Sequence, residues 1–296
     1  MTQPPLIVGL GEVLWDVYPE GAHFGGAPAN FACHSASLGA DAWMVSAVGA
    51  DALGDRALAA LGEHDVHCRQ VQRDPAHATG QVHVTLGAAG QPCYEIAADT
   101  AWDHIAWTGA LASFAMRCDA VCFGTLAQRS PTSRATIRRF LEGTPRGALR
   151  VFDVNLRQTF FDAETIDASL RLASAVKLND EELPIIARLC GIGGHTPRAT
   201  LRELMTRYDL RLAALTRGAL GALLLDDRDE DDGVAPSLSA VDTVGAGDAF
   251  TATLVSGVLR GLPLSEINVR ANAVASFVCS QAGATPSLPD ELRSFA

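Results

Sequence analysis

The stretch Asp242-Thr243-Val244-Gly245-Ala246-Gly247-Asp248-Ala249-Phe250 joins a glycine-containing loop to an apolar segment of helical character that continues to Leu259. A helix that begins after such a loop presents free backbone amides in its first turn, and glycines let a ligand approach that backbone closely. These amides and the helix dipole favour an anion such as a phosphoryl group. Such a helix start can therefore hold a phosphoryl group whose negative charge shifts during transfer.

Asp248 lies at the start of the same helical segment. A carboxylate in this position can take a proton from a hydroxyl group that comes within hydrogen-bond distance. An isolated Asp after a glycine turn is more often a simple helix cap. The small-residue pattern around Asp248 instead favours a catalytic base.

A second glycine-rich stretch, Gly25-Gly26-Ala27-Pro28-Ala29-Asn30-Phe31-Ala32, lies near the N-terminus. Gly25 and Gly26 give the backbone freedom near a ligand, and Pro28 suits the first turn of a helix. Asn30 offers both a donor and an acceptor to a polyol. Taken alone, the stretch is equally compatible with a turn before an ordinary helix.

Short apolar runs alternate with segments of helical periodicity along the rest of the chain, which predicts an α/β fold with a mostly parallel sheet between helices. Residues Val13–Phe24 and Gln81–Ala97 alternate like half-exposed antiparallel strands, with turn residues at 87–92, and predict a small β lid. We expect one domain over residues 1–296, with lid segments at about 12–25 and 80–107. The expected strands are Val121–Gly124, Arg150–Asp153, Ala175–Leu178, Ala213–Thr216 and Ala222–Leu225, and the expected crossover helices are Ser133–Glu142 and Ala199–Tyr208.

The amino-acid composition limits the kinds of molecule that the protein is expected to bind. A net charge of -11 and a single lysine, Lys177, provide no basic surface for nucleic acid. No apolar run is long enough to span a bilayer and the N-terminus lacks signal-peptide features, so we expect a cytoplasmic protein with no membrane partner. The seven scattered cysteines predict reduced thiols. An anionic substrate must therefore be held by local dipoles, a few arginines or a metal.

The two glycine-containing stretches resemble, in the same order, the two signatures of the ribokinase-like (PfkB) carbohydrate kinases. The resemblance implies a three-layer α/β/α core with a β lid, and transfer of the γ-phosphate of ATP to a sugar hydroxyl with Mg²⁺. It also implies that Asp248 is the base, that the amides of Gly245 to Gly247 form an anion hole, and that Gly25, Gly26 and Asn30 contact the sugar.

Further segments are similar to the family in sequence order, from Gly11 to Ser287. Asp153-Val154-Asn155-Leu156-Arg157 resembles the family's Asp-Pro-Asn-x-Arg element, with Val154 in place of the usual proline, and implies that Arg157 contacts a phosphate or substrate oxygen. Asn179-Asp180-Glu181-Glu182 resembles the Asn-x-x-Glu element, which implies that Asn179 binds ATP and that Glu182 organises Mg²⁺ through water. A helix capping box is compatible with the same four residues.

The remaining ligand contacts also come from the resemblance. Residues 215–221 are similar to the family's Thr-x-Gly-x-x-Gly nucleotide loop, which implies ATP contacts by Thr216, Gly218 and Gly221, and Asn272 lies in a segment that commonly lines the adenine pocket. A monovalent cation such as K⁺ is implied beside the anion hole, at Asp242, Val244, Gly283 and Ser287.

Asp16, in Gly11-Glu12-Val13-Leu14-Trp15-Asp16, occupies the place of a sugar-binding acid in fructokinase-like members. A carboxylate accepts two hydroxyl hydrogen bonds, which suits a polyol and repels an acidic sugar. Together with Ala101–Ile105, this segment favours D-fructose. Kinases of 2-keto-3-deoxygluconate, ribose or nucleosides, and a non-catalytic sugar sensor, remain alternatives on the same fold.

The lid segments also predict an interaction between copies of the chain. They contain the apolar residues Trp15, Val17, Val82 and Val84, which we expect to be exposed on the lid strands. In related kinases such residues are often covered by the lid of a second subunit. A homodimer formed through the lid is therefore expected.

Overall fold

The computed structural model describes residues 3–19, 21–86, 92–193 and 196–295, with the backbone alone at 84–86 and 92–94. The turn expected within residues 87–92 therefore lies almost wholly outside the described residues. The strands are β1 (Leu6–Leu10), β2 (Leu14–Tyr18), β3 (Gly21–Gly25), β4 (Asp41–Gly49), β5 (His67–Asp74), β6 (Gly80–Leu86), β7 (Pro92–Ile96), β8 (Ala120–Phe123), β9 (Leu149–Asp153), β10 (Ala175–Asn179), β11 (Leu212–Thr216), β12 (Ala222–Asp226) and β13 (Glu230–Gly233). The α-helices are α1 (Ala27–Ser37), α2 (Ala52–Glu63), α3 (Gly109–Ala115), α4 (Pro131–Gly143), α5 (Ala163–Leu172), α6 (Glu182–Leu189), α7 (Pro197–Tyr208), α8 (Ala246–Leu259), α9 (Leu264–Cys279) and α10 (Asp290–Arg293).

Nine strands form the central sheet, in the order β13-β12-β11-β10-β9-β8-β1-β4-β5. The pairs from β11 to β5 are parallel, and β12 and β13 add an antiparallel edge. The central strands β1 and β8 are buried along their whole length, as expected for parallel strands covered on both faces. The α/β expectation is confirmed, and the five strands expected from the apolar runs lie within one residue of their predicted bounds.

Helices cover both faces of this sheet. The apolar residues of α3 to α7 share one buried cluster with the central strands, and those of α1, α8 and α9 share another on the opposite face. Helix α8 is buried continuously from Ala249 to Gly257, because its sequence is apolar or small on every side. The body of α8 is consequently packed in the core directly after its first turn.

The small β lid is present as a second sheet, in the order β3-β2-β6-β7. Its two hairpins are antiparallel internally and are joined by parallel pairing of β2 with β6. Helix α2 covers part of this sheet at Trp15. The Trp15 indole N–H donates to the Leu53 carbonyl over 3.1 Å, and the Arg56 guanidinium lies 4.4 Å from the centroid of the Trp15 ring.

The expected exposure of the lid's apolar residues is wrong for two of the four. Trp15 and Val82 are only 5% and 6% exposed, because the same chain covers them. Val17 is partly buried, and the side chain of Val84 lies outside the described residues. Among the described residues, no helix combines the length and the apolar character needed to cross a membrane.

Candidate active site

The carboxyl ends of β9, β10 and β11, the start of α8 and the second sheet surround a cavity of about 1210 Å³. Ligands of open α/β sheets bind beyond the carboxyl ends of the strands, and this cavity has that position. It collects most of the residues expected from the sequence, namely Asp16, Gly26, Asn30, Arg157, Asn179, Thr216, Gly218, Gly221, Val244, Gly245, Ala246, Gly247, Asp248 and Asn272. Five expected residues do not line it: Gly25, Glu182, Asp242, Gly283 and Ser287.

Gly245 forms the turn into α8. Its φ of 79° is left-handed, and a Cβ atom there would overlap the Ala284 carbonyl oxygen. Only glycine adopts this conformation at little cost, so the residue is needed for the turn itself. The first amides of α8 have no carbonyl partner within the helix, and Gly245, Ala246 and Gly247 line the cavity.

Asp248 lies in this first turn and faces Asn30 across the cavity wall. The Asn30 amide nitrogen donates to Asp248 Oδ2 over 2.8 Å, joining residues 218 positions apart. Burial raises the pKa of Asp248 to about 7, the negative charge of Asp153 adds to this effect, and the bond from Asn30 opposes it. A carboxyl group with this pKa can accept a proton near neutral pH.

Asn30 therefore has a different partner from the sugar contact that was expected. Its Oδ1 atom is buried and has no hydrogen-bond partner among the described residues, and Asn30 lines the cavity. Gly26 lines the cavity with a φ of 109°, and a Cβ atom there would lie 2.6 Å from the Glu12 carbonyl oxygen. Gly25 lies behind the wall, against Asp16 Oδ2.

Two carboxyl groups and one guanidinium surround the end of the cavity beside the second sheet. Burial raises the pKa of Asp16 to about 6, and the positive charge of Arg157 opposes the shift. Glu12 was not assigned a role by the sequence, although it belongs to the same segment. It lines the cavity, burial raises its pKa to about 6, and its Oε2 atom is buried without a partner among the described residues.

Lys177 is, with Glu12, a second cavity residue to which the sequence analysis assigned no role. Its Nζ atom lies 3.1 and 3.2 Å from the Asp153 carboxylate oxygens and lines the cavity, and a Cβ atom on Gly247 would lie 2.9 Å from it. Burial alone would lower the pKa of Lys177, but the charges of Asp153, Glu182 and Asp248 outweigh that effect and raise it. Lys177 is thus a buried cation beside the turn into α8. A lone lysine within an apolar strand was the signal that could have identified it.

Arg157 reaches the cavity from the loop after β9. The Val154 amide donates to the Lys177 carbonyl over 3.0 Å, a bond that a proline at this position could not make. Asn155 and Gln158 have left-handed φ values of 40° and 48° on either side of the loop. The substitution of the family's proline therefore preserves a defined loop, and Arg157 projects from it.

Glu182 and Asn179 form a capping box at the start of α6. The Asn179 amide donates to Glu182 Oε2 over 2.9 Å, and the Glu182 amide donates to Asn179 Oδ1 over 2.8 Å. Glu182 Oε1 accepts the Leu156 amide over 2.8 Å, which ties the box to the Arg157 loop. Each carboxylate oxygen keeps a second lone pair, so contact with a water-coordinated cation remains compatible with this geometry.

The opposite end of the cavity contains the residues expected to bind a nucleotide. Gly218 and Gly221 have positive φ values of 54° and 84° in the turn after Thr216. The side-chain Nδ2 of Asn272 donates to the backbone carbonyl oxygen of Asn268 over 2.9 Å and to Asn268 Oδ1 over 2.7 Å. The segment 234–240 also borders the cavity, with Val234 and Leu238 more than half exposed. Its irregular sequence contains no periodic signal that could have revealed this role.

Three of the residues expected around a monovalent cation lie together. Asp242 Oδ1 accepts the Val244 amide over 3.0 Å, and Oδ2 accepts the Gly283 amide over 3.2 Å. His34 Nε2 lies 2.9 Å from the Ala284 carbonyl oxygen, which ties this segment to α1. Ser287 is exposed and does not line the cavity.

Comparison with known proteins adds independent evidence. A family model described as pfkB family carbohydrate kinase matches residues 20–291. A fructokinase from Klebsiella pneumoniae is 30% identical over 86% of this chain and 85% of its own length. The crystal structure of an uncharacterized sugar kinase from Pyrococcus horikoshii is 29% identical, covers 97% of this chain and 96% of that chain, and has a TM-score of 0.82. A second structure of the Pyrococcus protein, in complex with ATP, is 28% identical over 95% of this chain and 93% of that chain, with a TM-score of 0.78.

Proposed function

Because this chain belongs to the pfkB family of carbohydrate kinases, we propose that it transfers the γ-phosphate of ATP to a hydroxyl group of D-fructose. The position of Asp248 is the observation that supports this proposal most. Asp248 lines the same cavity as Asp16, which is toward one end, and Thr216 and Asn272, which are toward the other end. We further propose that residues 1–296 form one kinase domain that acts in the cytoplasm.

The proposed chemistry begins with proton removal. Asp248 accepts the proton of the sugar hydroxyl while the hydroxyl oxygen attacks the γ-phosphorus of ATP. The bond between that phosphorus and the bridging oxygen, which leaves with ADP, breaks. The first amides of α8 hold the negative charge of the transferred group. Lys177 and Arg157 add positive charge to a chain whose formal net charge is -11. ADP leaves with the electrons of the broken bond.

Mg²⁺ and K⁺ have compatible donors around this cavity. Glu182 and the neighbouring Asp153 offer carboxylate oxygens suited to water-coordinated Mg²⁺, which when bound neutralises phosphate charge. Asp242, the Val244 carbonyl, Gly283 and Ser287 form the proposed K⁺ site, for which Asp242 supplies the charge. Asn179, Thr216, Gly218, Gly221 and Asn272 are proposed to bind ATP.

The charge around the sugar end supports a neutral substrate. Among the described lining residues, Glu12, Asp16 and Asp248 present three carboxyl groups, and Arg157 and Lys177 present two cationic groups, of which Lys177 is paired with Asp153. Such a site accepts hydrogen bonds from hydroxyl groups and repels a substrate carboxylate. The fructokinase relative from Klebsiella supports a ketose among neutral sugars. We assign sugar contacts to Asp16, Gly26, Asn30 and Arg157, with Gly25 shaping the wall behind Asp16.

A kinase assay with ATP and Mg²⁺ across neutral ketoses, aldoses, nucleosides and keto-deoxy acids tests this function. D-Fructose is expected to have the highest kcat/KM. Preference for 2-keto-3-deoxygluconate or a nucleoside would contradict the assignment of D-fructose as substrate but not the assignment of kinase activity. Sugar binding without ATP consumption would instead favour a sugar sensor on this fold.

A further inference from the structure

Outside the cavity, three metal-ligating side chains converge where the chain passes between the two sheets. His77 follows β5 just before the chain enters the second sheet at β6, and Asp99 and His104 follow β7, where the chain leaves it. One ligand atom from each of the three lies within 4.8 Å of the others. Asp99 Oδ1 lies 2.8 Å from His104 Nε2 and 3.8 Å from His77 Nε2.

Asp74 fixes the orientation of the His77 ring. The Nδ1 atom of His77 lies 2.8 Å from Asp74 Oδ2, and the backbone amides of Ala76 and His77 donate to Asp74 Oδ1 over 2.7 and 3.2 Å. A hydrogen bond from Nδ1–H to a carboxylate leaves the Nε2 lone pair free for a metal. Asp74 thus directs His77 Nε2 toward Asp99, as the outer carboxylate of a metal centre does.

The two imidazole rings require a small adjustment before they can share an ion. They stack with centroids 3.6 Å apart and planes 9° apart, so the lone pairs of the two rings lie in nearly parallel planes and cannot both point at one ion. A metal about 2.0–2.1 Å from both nitrogens requires the rings to splay. The Asp99 side chain is 76% exposed and the His104 side chain 30% exposed, so the adjustment takes place at the protein surface.

We propose that His77, Asp99 and His104 bind a divalent ion of the Zn²⁺ type, with Asp74 orienting His77 and water completing the coordination. Two imidazoles and one carboxylate suit Zn²⁺ and its neighbours in the transition series, whereas Mg²⁺ prefers oxygen ligands alone. The ion replaces the proton that now joins His104 to Asp99. It would link the entry and exit of the second sheet, the sheet that carries Asp16.

Titration of the purified full-length protein with Zn²⁺, and with Co²⁺ as a spectroscopic substitute, tests the site without nucleotide or sugar. Calorimetry is expected to show one equivalent bound, with Co²⁺ absorption bands of imidazole and carboxylate ligation. His104→Ala should abolish this equivalent. Asp74→Asn should weaken it about 10- to 100-fold, the usual effect of losing the carboxylate behind a ligating histidine.

His67→Ala is the matched control. His67 Nε2 also lies near a carboxylate, 3.2 Å from Asp41 Oδ1, but His67 does not belong to the three-residue cluster. Its variant should retain full affinity, and circular dichroism should show all three variants folded. Absence of stoichiometric binding in the unaltered protein would overturn the proposal. Binding that survives His104→Ala, as binding through thiols would, or that is lost equally in His67→Ala, would also overturn it.

Discussion

At the scale of single residues, the behaviour of Asp248 depends on neighbours distant in sequence. Burial and Asp153 raise its pKa, whereas the Asn30 amide stabilises the charged form and lowers it. The acid must be ionised to act as a base, so its activity is expected to be lost as pH falls through about 7.

The pH dependence of kcat/KM reports this pKa in the free enzyme. We expect an acid limb near pH 7. Asn30→Ala should move that limb to higher pH by up to about one unit, because it removes a hydrogen bond worth about 0.5–1.5 kcal/mol to the carboxylate. An unmoved limb, or one moved to lower pH, would show that Asn30 does not stabilise the ionised base.

Asp16 is expected to act on sugar binding alone. Asp16→Ala should raise KM for the sugar about 10- to 100-fold, the cost of losing a partner for a buried hydroxyl, with little change in KM for ATP. His83→Ala, an exposed position on the same sheet, is the control. Equal changes in both Michaelis constants would remove Asp16 from the sugar site.

At the scale of elements, two glycines at the start of α8 are expected to have different roles. Gly245 is expected to matter most for folding, and Gly247 for catalysis. Gly245 has a left-handed φ and abuts the Ala284 backbone, whereas Gly247 faces the movable end of Lys177. Gly245→Ala should therefore destabilise the fold by about 1–3 kcal/mol, the usual cost of a strained backbone conformation. Gly247→Ala should cost less stability than Gly245→Ala, because the end of a side chain can shift more readily than a backbone carbonyl, and it should reduce kcat by displacing Lys177.

Thermal unfolding and steady-state kinetics of the two variants measure this contrast. A side chain at Gly245 would overlap the Ala284 backbone, so Gly245 is needed for folding as well as for the proposed anion hole. Equal stability of the two variants would contradict this assignment of roles.

The elements were more predictable than the contacts between them. Apolar runs identified β8 to β12 because periodicity is a local property. The pairing of Asn30 with Asp248 joins distant segments through α1 and α8, and only the family resemblance brought both into one site. Lys177 and Glu12 escaped notice because burial of a charge depends on what packs around it. The cover of α2 over Trp15 is likewise a tertiary contact, which alternation along a strand does not reveal.

At the scale of the whole molecule, the second sheet ends in two strands, β3 and β7, each with one neighbour among the described strands. Open strand edges invite pairing with another chain, so the homodimer through the lid stays a prediction even though Trp15 and Val82 are covered. Light scattering should give twice the 31.1 kDa chain mass at working concentrations. A monomer with full activity would contradict it.

The central claim is that Asp248 is the base of a sugar kinase, and the turnover of Asp248→Asn with D-fructose and ATP tests it most directly. The introduced Asn side chain has the same shape as Asp, and its amide oxygen can accept the hydrogen bond from Asn30. Stability and ATP affinity should therefore stay close to those of the unaltered protein. Turnover should fall by about two to four orders of magnitude, the usual worth of a general base. Turnover within a few-fold of the unaltered enzyme would contradict the account.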